Sequence, residues 1–202
     1  MGDPRLAARI TRSVVENSSC PVTVKFRSGT DSTAICAGDF AVMMEDCGAA
    51  AVAVHGRTWK QAFSGLADWQ VVADVVQRVS VPVFGNGDIE TCDQAYRRMQ
   101  QTGCSGVLIG RGAIGNPWVF SREGRPADSS AIIQIVLKHM DLVEQLNENQ
   151  GKGLGNIKNH LGKYFRNIPG SAQFRKKVYE QPDWSSLRSF IQSCDSLLAT
   201  TA

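Results

Sequence analysis

Short, mostly apolar runs alternate with longer segments of helical spacing through the first 120 positions. The runs at 21–26 (PVTVKF), 50–54 (AAVAV), 81–84 (VPVF) and 106–109 (GVLI) have the length and continuity of strands buried on both faces of a parallel sheet. Between them lie segments long enough for crossover helices. Residues 3–17 place Leu6, Ile10, Val14 and Val15 on one helical face, with Asp3 as N-cap and Pro4 at the first helical position; this amphipathic helix should cover something. Asp31-Ser32-Thr33 is expected to cap a helix ending at Cys47, where Gly48 stops it. Asp68 should cap a helix over 69–78, and a crossover helix over 90–101 should end at Thr102-Gly103.

Beyond a polar connection at 121–128, the strand signal stops. Ile132, Ile133, Val136, Leu137, Met140, Val143 and Leu146 recur at helical spacing through 129–149. A glycine-bearing break at 151–155 precedes helices expected at 156–166, 171–178 and 183–198. The chain therefore reads as a helix, four βα units and a small all-helical appendage, with domains at 1–120 and 121–202.

Repeated βα units give either a doubly wound sheet or a (β/α)8 barrel. A doubly wound sheet would carry a G-x-G-x-x-G turn after its first strand, and none follows Phe26. Instead each special residue set sits just after a strand: Lys25 and Arg27, His55 and Arg57, Asn86 and Asp88, Gly110 and Arg111. In a barrel those ends converge on one face. The fold class expected is thus α/β, with four of the eight βα units of a TIM barrel.

Composition narrows little further. Apolar content of 43%, charged content of 20% and a net charge of +3 describe an ordinary globular chain of 202 residues. No run of 18 apolar residues predicts a membrane span, and the N-terminus lacks the layout of a secretory signal. The cysteines at 20, 36, 47, 92, 104 and 194 form no CxxC pair. They read as reduced, mostly buried thiols of a cytoplasmic protein, with neither a disulfide framework nor a metal site. The glycine-rich mouths Gly85-Asn86-Gly87-Asp88 and Gly110-Arg111-Gly112 suggest a phosphate-bearing ligand, which backbone N–H groups reach most easily where side chains are absent. Taken singly, these residues have plainer uses: Gly85 and Gly87 as turn glycines, Asp88 as a helix cap, Lys25 or His55 as ordinary surface or core groups.

Four motifs in this order, PVTVKFRSG, VHGRTWKQAFSGLADW, VPVFGNGDI and GVLIGRGAIGNPW, resemble the flavin-dependent tRNA-dihydrouridine synthases, the bacterial B-type subfamily in particular. The tail segment NHLGKYFRNIPGSAQFRKK is similar to that family's C-terminal helical domain. The resemblance implies an FMN-binding TIM barrel, reduction of the flavin by NADPH, and hydride transfer to C6 of a tRNA uridine. By motif it assigns Lys25, His55, Asn86, Gly87, Asp88, Gly110 and Arg111 to the flavin. A cation such as Lys25 would stabilise the reduced ring, and Arg111 would give a forked donor to the phosphate.

The family's proton-donating cysteine lies in an N-x-G-C-P motif, and this sequence has no such motif. Cys20-Pro21 precedes a strand and so falls on the opposite face; Cys36 is assigned a structural role. The chain is expected to be the C-terminal part of the family's barrel plus its tail, with open strand edges and no dihydrouridine synthesis of its own. Between residues 151 and 179 there are seven Lys or Arg (152, 158, 163, 166, 175, 176 and 177) and no Asp or Glu. That excess, taken with the resemblance, points to tRNA as partner through Lys158, Lys163, Arg166, Arg175, Lys176 and Lys177, with Arg57 at the mouth. Phe165 and Phe174 are expected in the helical core. Two readings compete with the synthase: another FMN barrel oxidoreductase, and a non-catalytic flavin- or RNA-binding remnant.

Overall fold

The computed structural model describes residues 2–147, 153–166 and 170–198. The first elements are α1 (Pro4–Asn17), β1 (Thr23–Arg27), α2 (Ala37–Asp46), β2 (Ala51–His55), α3 (Trp69–Arg78), β3 (Val83–Asn86), α4 (Cys92–Thr102) and β4 (Gly106–Leu108). After single helical turns at Arg111–Ala113 and Pro117–Phe120 come α5 (Ser129–Asn147), α6 (Leu154–Tyr164), α7 (Ser171–Glu180) and α8 (Trp184–Leu198). Lys152 and the first part of the expected glycine break lie outside the described residues. The chain divides into two compact units, Met1–Gly112 and Ala113–Ala202. Residues 113–120, grouped with the strands on sequence, fall in the second unit, where Trp118 packs on the helical core.

In the first unit the strands form one parallel sheet in the order β1-β2-β3-β4. Neighbours in sequence are neighbours in the sheet, as right-handed βα repeats require. Because side chains alternate along a strand, the register sorts them into two faces. Val24, Val52 and Val83 share one face with Phe26, Val54, Gly85 and Val107. Helices cover this face: Phe26 meets Phe40 of α2 edge-on at 4.9 Å, and the Trp69 ring of α3 lies over Gly85. The other face carries Lys25, Ala53, Phe84 and Gly106 in one row and Arg27, His55, Asn86 and Leu108 in the next. Central β2 is buried throughout, whereas Lys25 on β1 and Leu108 on β4 are exposed. β1 and β4 are the edges of this sheet among the described residues.

Local chemistry accounts for most helix ends. Asp3 accepts from the Leu6 N–H at 2.9 Å and Asp68 from the Gln70 N–H at 2.9 Å. Two expectations change. The helix predicted after Asp31 starts at Ala37, because Asp31 instead accepts from the backbone and hydroxyl of Thr33 (2.9 and 2.7 Å), closing a local turn. Asp88 caps no helix: α4 begins at Cys92, capped reciprocally by Thr91 and Gln94. The apolar face of α1 also behaves differently. The helix docks through Thr11, whose hydroxyl contacts the Met44 sulfur at 3.3 Å, and Leu6, Ile10 and Val14 stay about half exposed.

The second unit, in its described residues, is helical around one core. Ile133, Val136, Met140, Ile157, Leu161, Phe165, Leu187 and Ile191 are buried together. Phe174 stacks between Phe165 (4.2 Å) and Phe190 (5.6 Å), so both tail phenylalanines are core side chains.

Gly85 has no room for a side chain: a Cβ there would sit 2.3 Å from the Trp69 ring, and Trp69 is held by its Nε1–H donating to the Gly87 carbonyl at 3.2 Å. Gly85→Ala should therefore destabilise the first unit by about 1–3 kcal/mol through overpacking. Urea unfolding followed by Trp fluorescence measures this; an unchanged midpoint would mean that Trp69 is not locked.

Candidate functional site

The special residues converge at the carboxyl end of the sheet because all four strands run the same way. The loops leaving β1 and β2 are stitched together there. Ser28 N–H donates to the Arg57 carbonyl (3.2 Å), and the N–H groups of Trp59 and Lys60 donate to Gly29 and Thr30 (2.9 Å each). Loop 58–67 then folds back, with Asp68 N–H on the Gly56 carbonyl at 2.7 Å.

Two guanidiniums hold that loop from below. Arg27 Nη1 donates to the carbonyls of Thr58 (2.7 Å) and Ala62 (3.1 Å). Arg57 donates through Nε to Ser64 (3.3 Å) and through Nη2 to Gly65 (2.5 Å). Its Nη1 lies 2.7 Å from Asp88 Oδ1 but off hydrogen-bond alignment, leaving that buried N–H without an aligned acceptor. The contact is an ion pair. Arg57 is 3% exposed, so the residue expected to reach RNA is turned inward.

Asp88 occupies the left-handed region (φ 52°), which Asp tolerates better than most residues. Its Oδ2 accepts from the Ala67 N–H at 2.7 Å, and Arg111 stands 3.9 Å from Oδ1. Partial burial pushes the Asp88 carboxyl up, but the Ala67 N–H, Arg57 and Arg111 outweigh it and hold the group below its ordinary value. Arg111 is otherwise open, more than half exposed, with its guanidinium over the Phe63 ring at 4.6 Å.

The mouth glycines differ in kind. Gly87 (φ 133°) faces inward, where a Cβ would meet Ala67 at 2.4 Å and His55 at 3.3 Å. Gly85 is filled by Trp69 as described. Those two are demanded by packing, whereas Gly110 has no atom within 4 Å of a Cβ position and its surroundings are open. Asn86 Nδ2 donates to the Leu108 carbonyl at 2.7 Å, tying β3 to β4.

Arg57 and Arg111 thus flank the Asp88 carboxylate, and His55 feels that carboxylate together with Lys25, Arg27 and Arg57. Burial lowers the Lys25 ammonium, and Arg27 lowers it further. Burial also depresses His55 from 6.5 to about 4, reinforced by Arg27, Lys25 and Arg57. His55 is neutral at pH 7 and offers one donor and one acceptor. Arg27 as a loop staple and Phe63 as the seat of Arg111 were not read from sequence; an Arg at each of two successive strand ends, the second leading into the ten-residue loop 58–67, is the hint of the first. In the second unit the expected RNA cations divide. Lys158 is 9% exposed and donates to the carbonyls of Tyr179 (3.3 Å) and Gln181 (2.6 Å), closing the end of α7. Arg166, Arg175, Lys176 and Lys177 are exposed and Lys163 half-buried.

Removing Arg57 strands the Asp88 charge and frees two loop carbonyls. Arg57→Ala should cost about 1–3 kcal/mol and speed amide exchange across 58–67 and at Ala67, read by hydrogen exchange. Protection equal to wild type would contradict the clamp. The His55 shift has a definite sign: the unfolded chain takes up a proton at this site first as pH falls. Stability is full above pH 6.5 and declines as pH drops toward 4. Urea midpoints across that window should fall less steeply in His55→Gln, while NMR of wild type should show the His55 ring neutral at pH 5.5, roughly midway in the window.

A family model described as dihydrouridine synthase (Dus) matches residues 1–196. Among similar proteins, a probable tRNA-dihydrouridine synthase of Rickettsia conorii is 37% identical over 188 residues, which are 88% of this chain and 56% of that protein. One from Mycobacterium leprae is 39% identical over 187 residues, covering 86% and 48%. The tRNA-dihydrouridine synthase B of Xanthomonas axonopodis pv. citri is 36% identical over 194 residues, covering 91% and 58%. The chain spans about half the length of these relatives. With the family match running through both compact units, the chain belongs to the dihydrouridine synthase family.

Proposed function

We propose that this chain supplies the flavin-phosphate end and the RNA-binding helices of an FMN- and NADPH-dependent tRNA-dihydrouridine synthase. The observation that carries the reading is the exposed Arg111 beside the open Gly110, at strand ends that also carry Lys25, Arg27, His55 and Arg57. Asp88 pairs with Arg57 and stands 3.9 Å from the more exposed Arg111, so the strand ends keep an excess of cations, and a phosphate ester is the anion we assign to them. The relatives' names supply the reaction class. Four of the eight βα units of a TIM barrel remain the architecture we assign to the first unit.

Bound FMN would supply hydride to the uridine ring. The residues of this chain hold and orient. Arg111 presents a forked, charge-assisted donor to phosphate, and the Gly110 backbone leaves space beside it. Lys25, from the uncovered sheet face, places a positive charge where negative charge develops on a reduced ring. Neutral His55 contributes a hydrogen bond in place of charge. Asn86, Gly87 and Asp88 set the mouth's shape: Asn86 by bridging β3 to β4, Gly87 by packing, Asp88 by fixing loop 58–67 and the Arg111 head.

The proton that completes the reduction has no donor in this sequence, which lacks the N-x-G-C-P motif. Cys20 lies at the opposite end of the sheet, and Cys92 is half-buried at the first position of α4 outside any such motif. Cys47, Cys104 and Cys194 are buried, and burial pushes the Cys194 thiol up to about 11. Cys36 stands at the start of α2, where its role is structural. On the second unit Lys163, Arg166, Arg175, Lys176 and Lys177 form the tRNA surface, while Lys158 supports it by closing the end of α7; Arg57, in the first unit, holds loop 58–67. The same reading assigns the chain to the cytoplasm; among the described residues no helix is long and apolar enough to cross a membrane.

Flavin fluorescence on titration with FMN tests the first half of this proposal. The chain should bind, and Arg111→Ala should weaken binding about tenfold, or ~1.4 kcal/mol. With FMN, NADPH and unmodified tRNA, the chain by itself should form no dihydrouridine. Flavin binding indifferent to Arg111 would remove the phosphate assignment, and robust turnover would place the proton donor within this sequence.

A further inference from the structure

The second unit contains a cavity of about 550 Å³ lined by residues of α6 and α7 with Ile114. Its polar lining is Asn156, Asn159, His160, Lys163, Arg175 and Tyr179. No carboxylate lines it among the described residues. Two cations from different helices therefore face one concavity without a counter-charge, beside two amides and an aromatic ring.

The groups are oriented by contacts with one another and with the helices behind them. The Tyr179 hydroxyl donates to Asn159 Oδ1 at 2.5 Å. That engages the amide oxygen and leaves the Asn159 NH2 as donor. The Arg175 stem lies on Gly162, where an added Cβ would come within 3.2 Å of Arg175 Cγ, so the absent side chain lets α7 bring Arg175 against α6. His160 is backed edge-on by His139 (5.2 Å), whose Nδ1 is hydrogen-bonded to the Tyr164 hydroxyl at 3.1 Å. Tyr179 is 53% exposed, so its ring retains a free face on which a base can stack.

We propose that this cavity binds a single nucleotide unit, with its phosphate between Lys163 and Arg175 and its base or ribose against Asn156, Asn159 and Tyr179. Phosphate suits the paired cations. Donor amides and an aromatic face suit the remainder of a nucleotide better than they suit bare phosphate. Lys176 offers a contrast: it lies outside the lining and already has a carboxylate neighbour, Glu180 at 3.9 Å. The site is distinct from the mouth in the first unit. It rests on the tRNA reading only for the source of its ligand, which is either one nucleotide of an RNA chain or a free nucleotide.

The test is titration of the 202-residue chain with UMP, inorganic phosphate and uridine, followed by 15N–1H NMR of α6 and α7 amides. UMP should saturate, phosphate should bind more weakly, and uridine more weakly than UMP. Arg175→Ala and Lys163→Ala should each weaken UMP at least tenfold, with Arg175→Lys intermediate. Lys138→Ala, which removes one charge from α5, should leave UMP affinity unchanged. Unaltered thermal unfolding of each variant separates lost binding from lost structure. Unmodified tRNA that displaces UMP identifies the RNA source. UMP binding that tRNA does not displace keeps the site, assigns it to free nucleotides and counts against tRNA on this surface. Failure of both UMP and phosphate to bind at millimolar concentration overturns the site, as does a loss equal in Lys138→Ala and Arg175→Ala. If tRNA still binds in those last cases, with affinity falling steeply with salt, the synthase reading survives and the nucleotide cavity alone is lost.

Discussion

The carboxyl end of the sheet depends on Arg57. Its guanidinium joins the folded loop 58–67 to the turn after β3, starting from the end of β2. A long loop beside a sheet tends to be mobile, because it presents carbonyls that no ladder satisfies. Here Arg27 and Arg57 satisfy four of them from beneath. With its carbonyls drawn inward, the loop turns Trp59, Phe63 and Leu66 outward, and Phe63 becomes the surface on which Arg111 rests. Asp88 closes the arrangement, since it neutralises Arg57 and receives the Ala67 N–H. Were Arg57 simply a surface cation, neither Asp88 in its left-handed backbone nor Arg111 above it would have a fixed position.

Much of this was legible from the sequence, and the failures have a common physical cause. Strand positions and their parallel order follow from apolar runs separated by helix-length segments, and Asp3 and Asp68 are caps because an aspartate there faces free helix N–H groups. Asp31 failed as a cap because an aspartate two residues before a threonine can close its own turn, so the helix waits until Ala37. Arg57 and Lys158, expected at an RNA surface, are instead buried against carbonyls for the same class of reason. A buried cation bound to carbonyls and an exposed cation awaiting phosphate look identical in sequence. Only a fold reveals which carbonyls lie within reach. Gly87 belongs with them: its spacing in GNGD suggests a ligand, while the space around it is occupied by Ala67 and His55.

The exposed stripe of α1 and the half-covered edges β1 and β4 follow from the same sheet. Its helix-covered face is built from Val24, Phe26, Val52, Val54 and Val83, a conventional apolar layer. The opposite face uses alanines on β2, with Lys25, Arg27, His55 and Asn86 toward the carboxyl end. Small residues in the middle and polar residues at one end suit a face that looks onto a ligand-bearing interior, as in barrels. They suit a packed apolar layer poorly, which is the physical argument for the βα-barrel assignment from these four strands.

The electrostatics of that face reach further than its shape. Burial and the neighbouring cations act together there: Lys25 is lowered by burial and by Arg27, and His55 is driven to about 4 by burial and then by Arg27, Lys25 and Arg57. A fold under no other constraint would relieve such crowding by substituting a neutral side chain or adding an acid. Retaining the cations and discharging the histidine keeps net positive potential at the strand ends while removing the one charge that could titrate away near neutral pH. With the histidine held neutral, the charges that an anion would meet at these strand ends are chiefly those of the arginines, which do not titrate near pH 7.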